Sequence, residues 1–297
     1  MRNMEPQIFT AVDHHARYLR TFIGLLISRF KPLQIFSFSK RFVAEEMEGD
    51  FIDNSITYKG HYCLLMVTET NTRIDHEVQD YCNGMYEDGT VTIICHGQEA
   101  ISEALQKNSR FFITVYSTGE LIYSYDGISL CNLTKKIDFS NASVKANQHF
   151  NHRISLAEGF LTGAKECLFS RQFNVCTFML HQVVEQCCIG LIRVHLGYRS
   201  EVHNLNRLLR LCNSFSDVPY NMFLTGRQTD EDLFDILIKS YSQARYGKTF
   251  LVVEIDAQRL FEKISSFVEL TKKMCQMKIV GLEKLSEENL DKEVSNE

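Results

Sequence analysis

The sequence FMLHQVVEQCCIGLIRVHLGYRSEVHNLNRLL, residues 178–209, reads as two helices joined by a short turn. Its first part belongs to residues 173–196, which are apolar on nearly every side, and a helix of that kind is buried at the centre of a fold. His181 and Glu185 interrupt the apolar pattern four residues apart, on one helix face. The stretch therefore predicts a central, buried helix that carries two polar groups on the same side.

Further helices are predicted on both sides of this stretch. The apolar positions of residues 154–168 recur at three- and four-residue spacing, as a core-facing helix requires. Residues 203–212, 231–246 and 255–275 are also helical in pattern, and residues 213–230 form a long connection. The chain after residue 150 is therefore predicted to be a bundle of about five helices.

The first half of the chain alternates between helical and strand-like patterns. Helices are predicted at 10–29, 73–83 and 97–107, and strands at 34–38, 62–68, 91–95, 110–116 and 120–124. The last two strands are predicted to form a hairpin through Ser117–Gly119. The fold class is α+β and multidomain: an α/β domain at 1–130, a linker at 131–149, the helical bundle at 150–278 and an acidic tail at 279–297.

Composition argues against several classes of protein. The net charge is −5, but the last 17 residues hold six acidic side chains and two lysines, so the body is nearly neutral and lacks the field of a general DNA coat protein. None of the ten cysteines forms a Cys-x-x-Cys pair, which argues against a zinc ribbon and suits a reducing compartment. A signal-peptide pattern is absent, and FIGLLIS (22–28) is too short to span a bilayer. We therefore expect a cytoplasmic protein with no membrane partner.

Four ordered motifs of the helical half resemble the HEPN domain. They are the His-Gln-x-x-Glu pattern from His181, the Gly-Tyr-Arg turn ending at Arg199, the His-Asn-Leu start at His203, and Ala-Arg-Tyr ending at Tyr246. The resemblance covers roughly residues 150–275. It implies a helical bundle that often dimerises, and some members of the family bind nucleotides while others are metal-independent ribonucleases. An α/β domain before such a bundle also resembles the two-domain nucleotidyltransferase–HEPN proteins of bacteria.

The motif residues are candidates for a nucleotide or phosphate site. His181 and Glu185 share a helix face, while Arg199, His203 and Asn204 surround a turn whose free N–H groups can receive an anion. Arg245 and Tyr246 end a helix and can supply a guanidinium for phosphate and a ring for a base. An internal polar network that ties helices together is the alternative interpretation of the same residues.

The ribonuclease alternative depends on an Arg-x(4–6)-His motif in the family that the chain resembles. Arg199 and His203 are separated by three residues, and no other arginine–histidine pair has the required spacing. Acid–base chemistry needs both groups at one phosphate. Metal-independent cleavage of RNA therefore stays the second hypothesis.

The first half of the chain resembles a nucleotidyltransferase domain but lacks the carboxylates that would bind metal there. Ser39, Lys40 and Arg41 stand where the resemblance places a Gly-Ser phosphate turn, His61 and Cys63 occupy the Asp-x-Asp positions, and His96 ends the third strand. Imidazole and thiol are poor Mg²⁺ ligands, so this domain is interpreted as degenerate. Two alternatives stay open: a softer metal bound by the histidines and cysteine, or plain packing. A run of acids in a predicted loop is interpreted as a solvated surface: Glu45, Glu46, Glu48, Asp50 and Asp53.

These observations predict a binding protein rather than an enzyme. Its expected ligand is a nucleotide or RNA phosphate, its expected partner a second copy of the chain, and no metal or other cofactor is expected. Mg²⁺ enters only if the first domain is an active transferase with displaced acids, which is a further alternative.

Overall fold

A computed structural model describes residues 5–49, 52–127, 137–247 and 249–294, with side chains at 15–44, 58–127, 137–247 and 249–288. It divides the chain into two compact units, Met1–Lys136 and Ile137–Glu297. The first unit has a mixed α/β fold and the second is helical, which confirms the predicted fold class.

A four-stranded mixed sheet forms the centre of the first unit. The elements in chain order are α1 (Glu5–Phe30), β1 (Gln34–Gly49), β2 (Ile52–Thr68), α2 (Asp75–Met85), β3 (Gly89–Gly97), α3 (Gln98–Gln106), α4 (Arg110–Thr118) and β4 (Glu120–Ser124). The strand order is β3-β2-β1-β4. β2 and β3 are parallel and connected through α2, whereas β1 is antiparallel to both β2 and β4.

Both faces of the central strands are buried, which accounts for the continuous apolar run of β2 from Leu64 to Val67. Side chains alternate along a strand, so Leu64 and Met66 pack against α1 and α2 on one face. The opposite face meets aromatic side chains of α4: the ring centroid of Tyr116 lies 4.7 Å from that of Phe36 in β1.

Two predictions for this unit were wrong. Residues 110–116 form α4 rather than a strand, and β4 pairs with the start of β1 instead of forming a hairpin with them. Every residue from Phe111 to Tyr116 except Thr114 is buried, and a short run that is apolar in all directions does not reveal its period. The acids at Glu45, Glu46 and Glu48 lie in β1 and Asp53 lies in β2, not in a loop; Asp50 is outside the described residues.

Six helices form the second unit among the residues described there. They are α5 (Ala142–Phe169), α6 (Phe173–Leu196), α7 (Leu205–Cys212), α8 (Val218–Asn221), α9 (Gln228–Tyr246) and α10 (Glu254–Val294). α10 runs antiparallel to α5, with the Lys272 Nζ 2.8 Å from Glu158 Oε1 and the Arg171 Nη2 2.8 Å from Glu254 Oε2. α5 begins within the segment expected to be a linker, and α10 continues through most of the acidic segment.

The predicted central position of α6 is confirmed, since the helix is surrounded by α5, α7, α9 and α10. By length and composition alone, α6 is the one helix in the described ranges that is apolar enough to cross a membrane. Within the unit, 78% of its most apolar window is buried, as in the core helix of a soluble protein. The nine described cysteines are free, and Cys131 lies outside the described residues.

Candidate functional site

α6 places two polar side chains inside the helical unit. His181 and Glu185 lie one turn apart and are only 2% and 4% exposed. The His181 Nδ1 donates to the main-chain oxygen of Leu237 in α9 over 3.1 Å, because a carbonyl oxygen can only accept. The central helix thus brings an imidazole and a carboxylate together under the surface and ties one of them to a neighbouring helix.

Glu185 is connected to the surface through His203, which lies just before α7. The Glu185 Oε1 is 2.9 Å from the Nδ1 of His203, whose side chain is 64% exposed. The next residue, Asn204, caps α7: its side-chain oxygen accepts from the main-chain N–H of Arg207 over 3.0 Å. A surface imidazole is therefore oriented by a buried carboxylate, and Asn204 fixes the start of the helix that follows it.

The remaining polar atoms of the buried pair face each other. The His181 Nε2 and Glu185 Oε2 are 4.0 Å apart, which is too far for a hydrogen bond, and neither atom has another partner. Since Nδ1 of His181 carries the proton, its Nε2 presents a lone pair toward a carboxylate oxygen. Burial lowers the pKa of His181 to about 4, against the opposing effect of the Leu237 bond and with a further lowering by Arg245.

Aromatic rings continue this arrangement to the end of α9. The rings of His181 and Tyr241 are 5.0 Å apart, and the Arg245 guanidinium carbon lies 4.5 Å from the Tyr241 ring centroid. The same carbon is 5.4 Å from the ring of Phe178 and 5.1 Å from that of Tyr246. The Arg245 Nε donates to the Tyr241 main-chain oxygen over 2.7 Å. We call the set His203, Glu185, His181, Tyr241, Arg245 and Tyr246 the polar line.

The structure thus brings together most of the candidates predicted in the helical half. Arg199 does not join them: its side chain is 81% exposed, its Nε lies 4.0 Å from Glu201 Oε1, and it acts electrostatically on Arg193. Sequence reasoning missed Phe178 and Tyr241 as site residues. The signal was available, since Tyr241 precedes Arg245 by one turn and Phe178 precedes His181 by three residues.

The phosphate turn expected in the first unit is absent among its described residues. Ser39, Lys40 and Arg41 lie inside β1, which continues to Gly49 because it pairs with β2 along most of its length. The Lys40 Nζ is 3.1 Å from Glu120 Oε2 in an exposed ion pair. The three side chains therefore belong to a strand and form no turn around a ligand.

His61 and Cys63 lie next to each other on one face of β2. The His61 Nδ1 is hydrogen-bonded to Thr90 Oγ1 of β3, and its Nε2 lies 3.9 Å from the Cys63 Sγ. Cys63 is fully buried, and this burial raises the pKa of its thiol to about 12. A thiol with that pKa stays protonated and is a poor metal ligand or nucleophile.

His96 lies far from this pair, at the other end of β3. It pairs with Val67, six residues along β2 from His61, or about 20 Å at ~3.3 Å per residue. Its ring packs edge-on against Phe112, 5.2 Å between centroids. The alternative that these three residues share a metal is therefore wrong, and the described part of the chain contains no group of three or more potential metal ligands.

Comparison with known proteins identifies the helical half. Residues 150–274 match the family model of the HEPN domain. The match begins in α5 and ends in α10, so it includes the whole polar line. The chain therefore contains a HEPN domain preceded by an α/β unit. No curated protein matches the chain.

Proposed function

We propose that the protein binds a nucleotide or an RNA segment at the α9 end of the polar line, without chemical turnover. The observation that carries this proposal is the position of the exposed Arg245 guanidinium among the rings of Phe178, Tyr241 and Tyr246. Exposed rings stack on bases, and a guanidinium binds phosphate through paired hydrogen bonds. The HEPN match supports a nucleic-acid-related function in general.

The state of Arg245 fits this role. Among the described residues, only its Nε forms a hydrogen bond, to the Tyr241 main-chain oxygen, and no carboxylate there pairs with it. Tyr246 is 77% exposed, so one of the rings beside the guanidinium is open to solvent. The side chain is held in place by its own helix while its outer N–H groups remain available to an anion.

The test is a titration of ATP, GTP and a short single-stranded RNA in EDTA, followed by thermal stabilisation and calorimetry. A ligand at 100 times its Kd stabilises the folded state by about 2.7 kcal/mol, so even a weak site is measurable. We expect Arg245→Ala and Tyr246→Ala to remove most of the binding. Lys239→Ala is the control, because Lys239 is an exposed cation on the same helix, paired with Asp235. Equal binding by Arg245→Ala and Lys239→Ala would refute the site.

Metal-independent cleavage of RNA is the second candidate function, and one observation favours it. The exposed His203 is oriented by the buried carboxylate of Glu185, which is how a general base is commonly held. Arg199 lies four residues before His203, but its ion pair within the described residues is with Glu201 rather than with a group at His203. Cleavage of RNA in EDTA that is lost in both His203→Ala and Glu185→Leu, the second of which removes the acceptor for His203, would establish this activity. RNA binding without cleavage by the natural chain would exclude this activity.

We propose that the α/β unit is a degenerate nucleotidyltransferase-like domain without transfer activity. The proposal is supported by its mixed sheet with helices on both faces and by the neutral pair His61 and Cys63 where the resemblance expects acids. Label transfer from ATP that requires Mg²⁺ is the deciding assay. A positive result would show that acids elsewhere in the unit hold the metal.

We propose further that two copies of the chain associate through the helical unit. HEPN domains often dimerise, and several large apolar side chains are exposed where α5 ends and α10 begins: Phe169 at 87%, Leu251 at 81%, Ile255 at 52% and Val253 at 50%. Light scattering should give a dimer mass that falls to the monomer in Leu251→Asp. A monomer at all concentrations would exclude the dimer. A cytoplasmic location belongs to the same proposal and is supported by the nine free cysteines.

A further inference from the structure

A group of cationic side chains, separate from the polar line, lies where the start of α5 packs against the end of α6. It consists of His149 and Arg153 of α5, Arg193 of α6, and Arg199 just after α6; we call these four residues the basic cluster. The Arg193 Nη2 is 3.3 Å from the His149 Nε2, and its Nη1 donates to the Gly197 main-chain oxygen over 2.9 Å. The Arg153 Nη1 donates to Gln186 Oε1 over 2.7 Å.

The basic cluster has almost no negative charge beside it. Residues 142–157 and 186–200, which carry or flank it, contain no Asp or Glu. In the described part of the chain, the half-buried guanidiniums of Arg153 and Arg193 are hydrogen-bonded to Gln186, to the Gly197 main-chain oxygen and to His149, and to no carboxylate. Among the described residues, the single carboxylate within ion-pair range of the cluster is Glu201, 4.0 Å from Arg199. Partly buried charges are normally paired, so this arrangement is unusual for a purely structural group.

The four side chains are also close enough to repel one another. The pKa of His149 is lowered first by burial and then by Arg193, Arg153, His152 and Arg199, all of them positive or able to become so. The pKa of Arg193 is lowered by burial and by Arg199. Each member therefore destabilises the charge of its neighbours, and an anion placed among them would relieve that repulsion.

We propose that the basic cluster binds a phosphate group. Guanidinium forks match phosphate oxygens in pairs, and three arginines in one place provide more donors than their internal hydrogen bonds use. The phosphate can come from free phosphate or from the backbone of a nucleic-acid strand, since both present the same oxygens. The inference does not rest on the proposed function: the cluster lies on α5 and the end of α6 and includes no residue of α9, and Arg193 lies about 12 Å along α6 from Glu185.

The test uses the full chain with inorganic phosphate and, separately, a short oligouridylate. Arg153→Gln and Arg199→Gln each remove one cation, and the pair is combined in a double variant. Arg193 is left unchanged because it also binds the main-chain oxygen of Gly197. The matched control is Lys165→Gln, which removes an exposed cation from the same helix, α5, twelve residues after Arg153. Urea unfolding confirms that each variant folds.

For the double variant we expect binding to weaken about a hundredfold, since each of the two lost hydrogen bonds to a charged group contributes about tenfold. With the oligouridylate, the slope of log K against log salt concentration should fall by about 0.7 for each phosphate contact that is lost. Binding of inorganic phosphate that is lost in the double variant supports the site with free phosphate as the source. Binding of the oligonucleotide alone, with the reduced slope, supports it with the backbone as the source.

Affinity and salt slope equal to those of Lys165→Gln, for both probes, would overturn the proposal. Arg245→Ala separates this inference from the proposed function. That variant should keep the affinity for phosphate and the salt dependence of oligouridylate binding that the basic cluster provides, even if its affinity for nucleotide is lost.

Discussion

His61 in the sheet and His181 in the helical bundle are both buried histidines, but their neighbours differ. The ring nitrogens of His61 meet Thr90 Oγ1 and the Cys63 thiol, both uncharged. The Nε2 of His181 instead faces a carboxylate oxygen of Glu185 at 4.0 Å, with no donor between the two acceptors. The two buried histidines therefore differ in the group that faces them: a thiol and a hydroxyl for His61, a carboxylate for His181.

The two regions also differ in their access to the surface. Cys63 is fully buried beneath the sheet face, whereas Glu185 is bonded to His203, which is 64% exposed. His203 therefore connects the surface to the interior of the bundle through one hydrogen bond. This comparison favours the helical unit as the location of the candidate site, and four measurements test it.

The largest effect is expected when an acid is introduced at Cys63, where the nucleotidyltransferase resemblance places an aspartate. Cys63→Asp puts an unpaired carboxylate at a fully buried position and should cost about 3–5 kcal/mol of the free energy of unfolding, measured in urea. Cys63→Ala is the control, because it changes volume but adds no charge. Stabilisation of Cys63→Asp by Mg²⁺ would contradict this prediction and would show that the sheet still forms a metal site.

The next effect is a pH dependence that belongs to His181. Its pKa is near 6.5 when unfolded and about 4 when folded, so the unfolded chain binds more protons between these values. The free energy of unfolding should therefore fall as the pH drops from 6.5 to 4, by about 3 kcal/mol in total. The charged groups that face the ring are Glu185 of α6 and Arg245 of α9, with His203 beyond Glu185.

The measurement is urea unfolding of the natural chain and of His181→Asn at several pH values. The difference between the two curves isolates the histidine. A difference that does not change between pH 4 and 6.5 would mean that folded His181 stays protonated and is paired with the Glu185 carboxylate. The comparison with His61 would then have to be revised.

A smaller effect should come from the partner of His181. Glu185→Leu removes the acceptor for His203 and should cost about 1–3 kcal/mol. Glu185→Gln should be as stable as the natural chain, because the amide oxygen can accept from His203 while the amide nitrogen donates to His181 Nε2. Thermal unfolding at pH 7 compares the two variants, and a Gln variant that is less stable than the Leu variant would rule out two facing acceptors.

The smallest effect is expected at Asn204, which sequence reasoning grouped with the site residues. Its side chain caps α7, so Asn204→Ala should lower the free energy of unfolding by about 1 kcal/mol. Nucleotide affinity should remain unchanged, and Asn204→Asp, which preserves the cap, is the control. A loss of affinity without a loss of stability would move Asn204 from the scaffold into the binding site.

The strengths and failures of sequence reasoning have physical causes in particular elements. α6 was predictable because 24 residues that are apolar in all directions fit only a buried helix here. α4 was not, since a segment with five buried apolar or aromatic residues among seven, 110–116, fits a strand equally well until the sheet that it covers is known. The charged end of β1 is predicted as a loop from its local sequence. It is a strand because it pairs with β2, and this pairing cannot be read from the residues of β1 alone.

In the candidate site, too, proximity within one helix could be predicted and contacts between elements could not. His181 and Glu185 are one helical turn apart, so their proximity could be read directly from their spacing. The link from Glu185 to His203, and the separation of Arg199 from both, depend on how the segment after α6 crosses the bundle. The basic cluster could not be found from spacing, because Arg153 and Arg193 meet only through the antiparallel packing of α5 and α6.

The sequence by itself determined the class of each half, the buried central helix and the pair of polar groups on one of its faces. These features depend on periodicity within a single element, which is written in consecutive residues. Only contacts between distant segments make α4 a helix, hold the pair His61 and Cys63 far from His96, and bring together cations of α5 and α6 with a single carboxylate, Glu201, in range among the described residues. Those outcomes depend on contacts between residues distant in the chain, and only packing specifies such contacts.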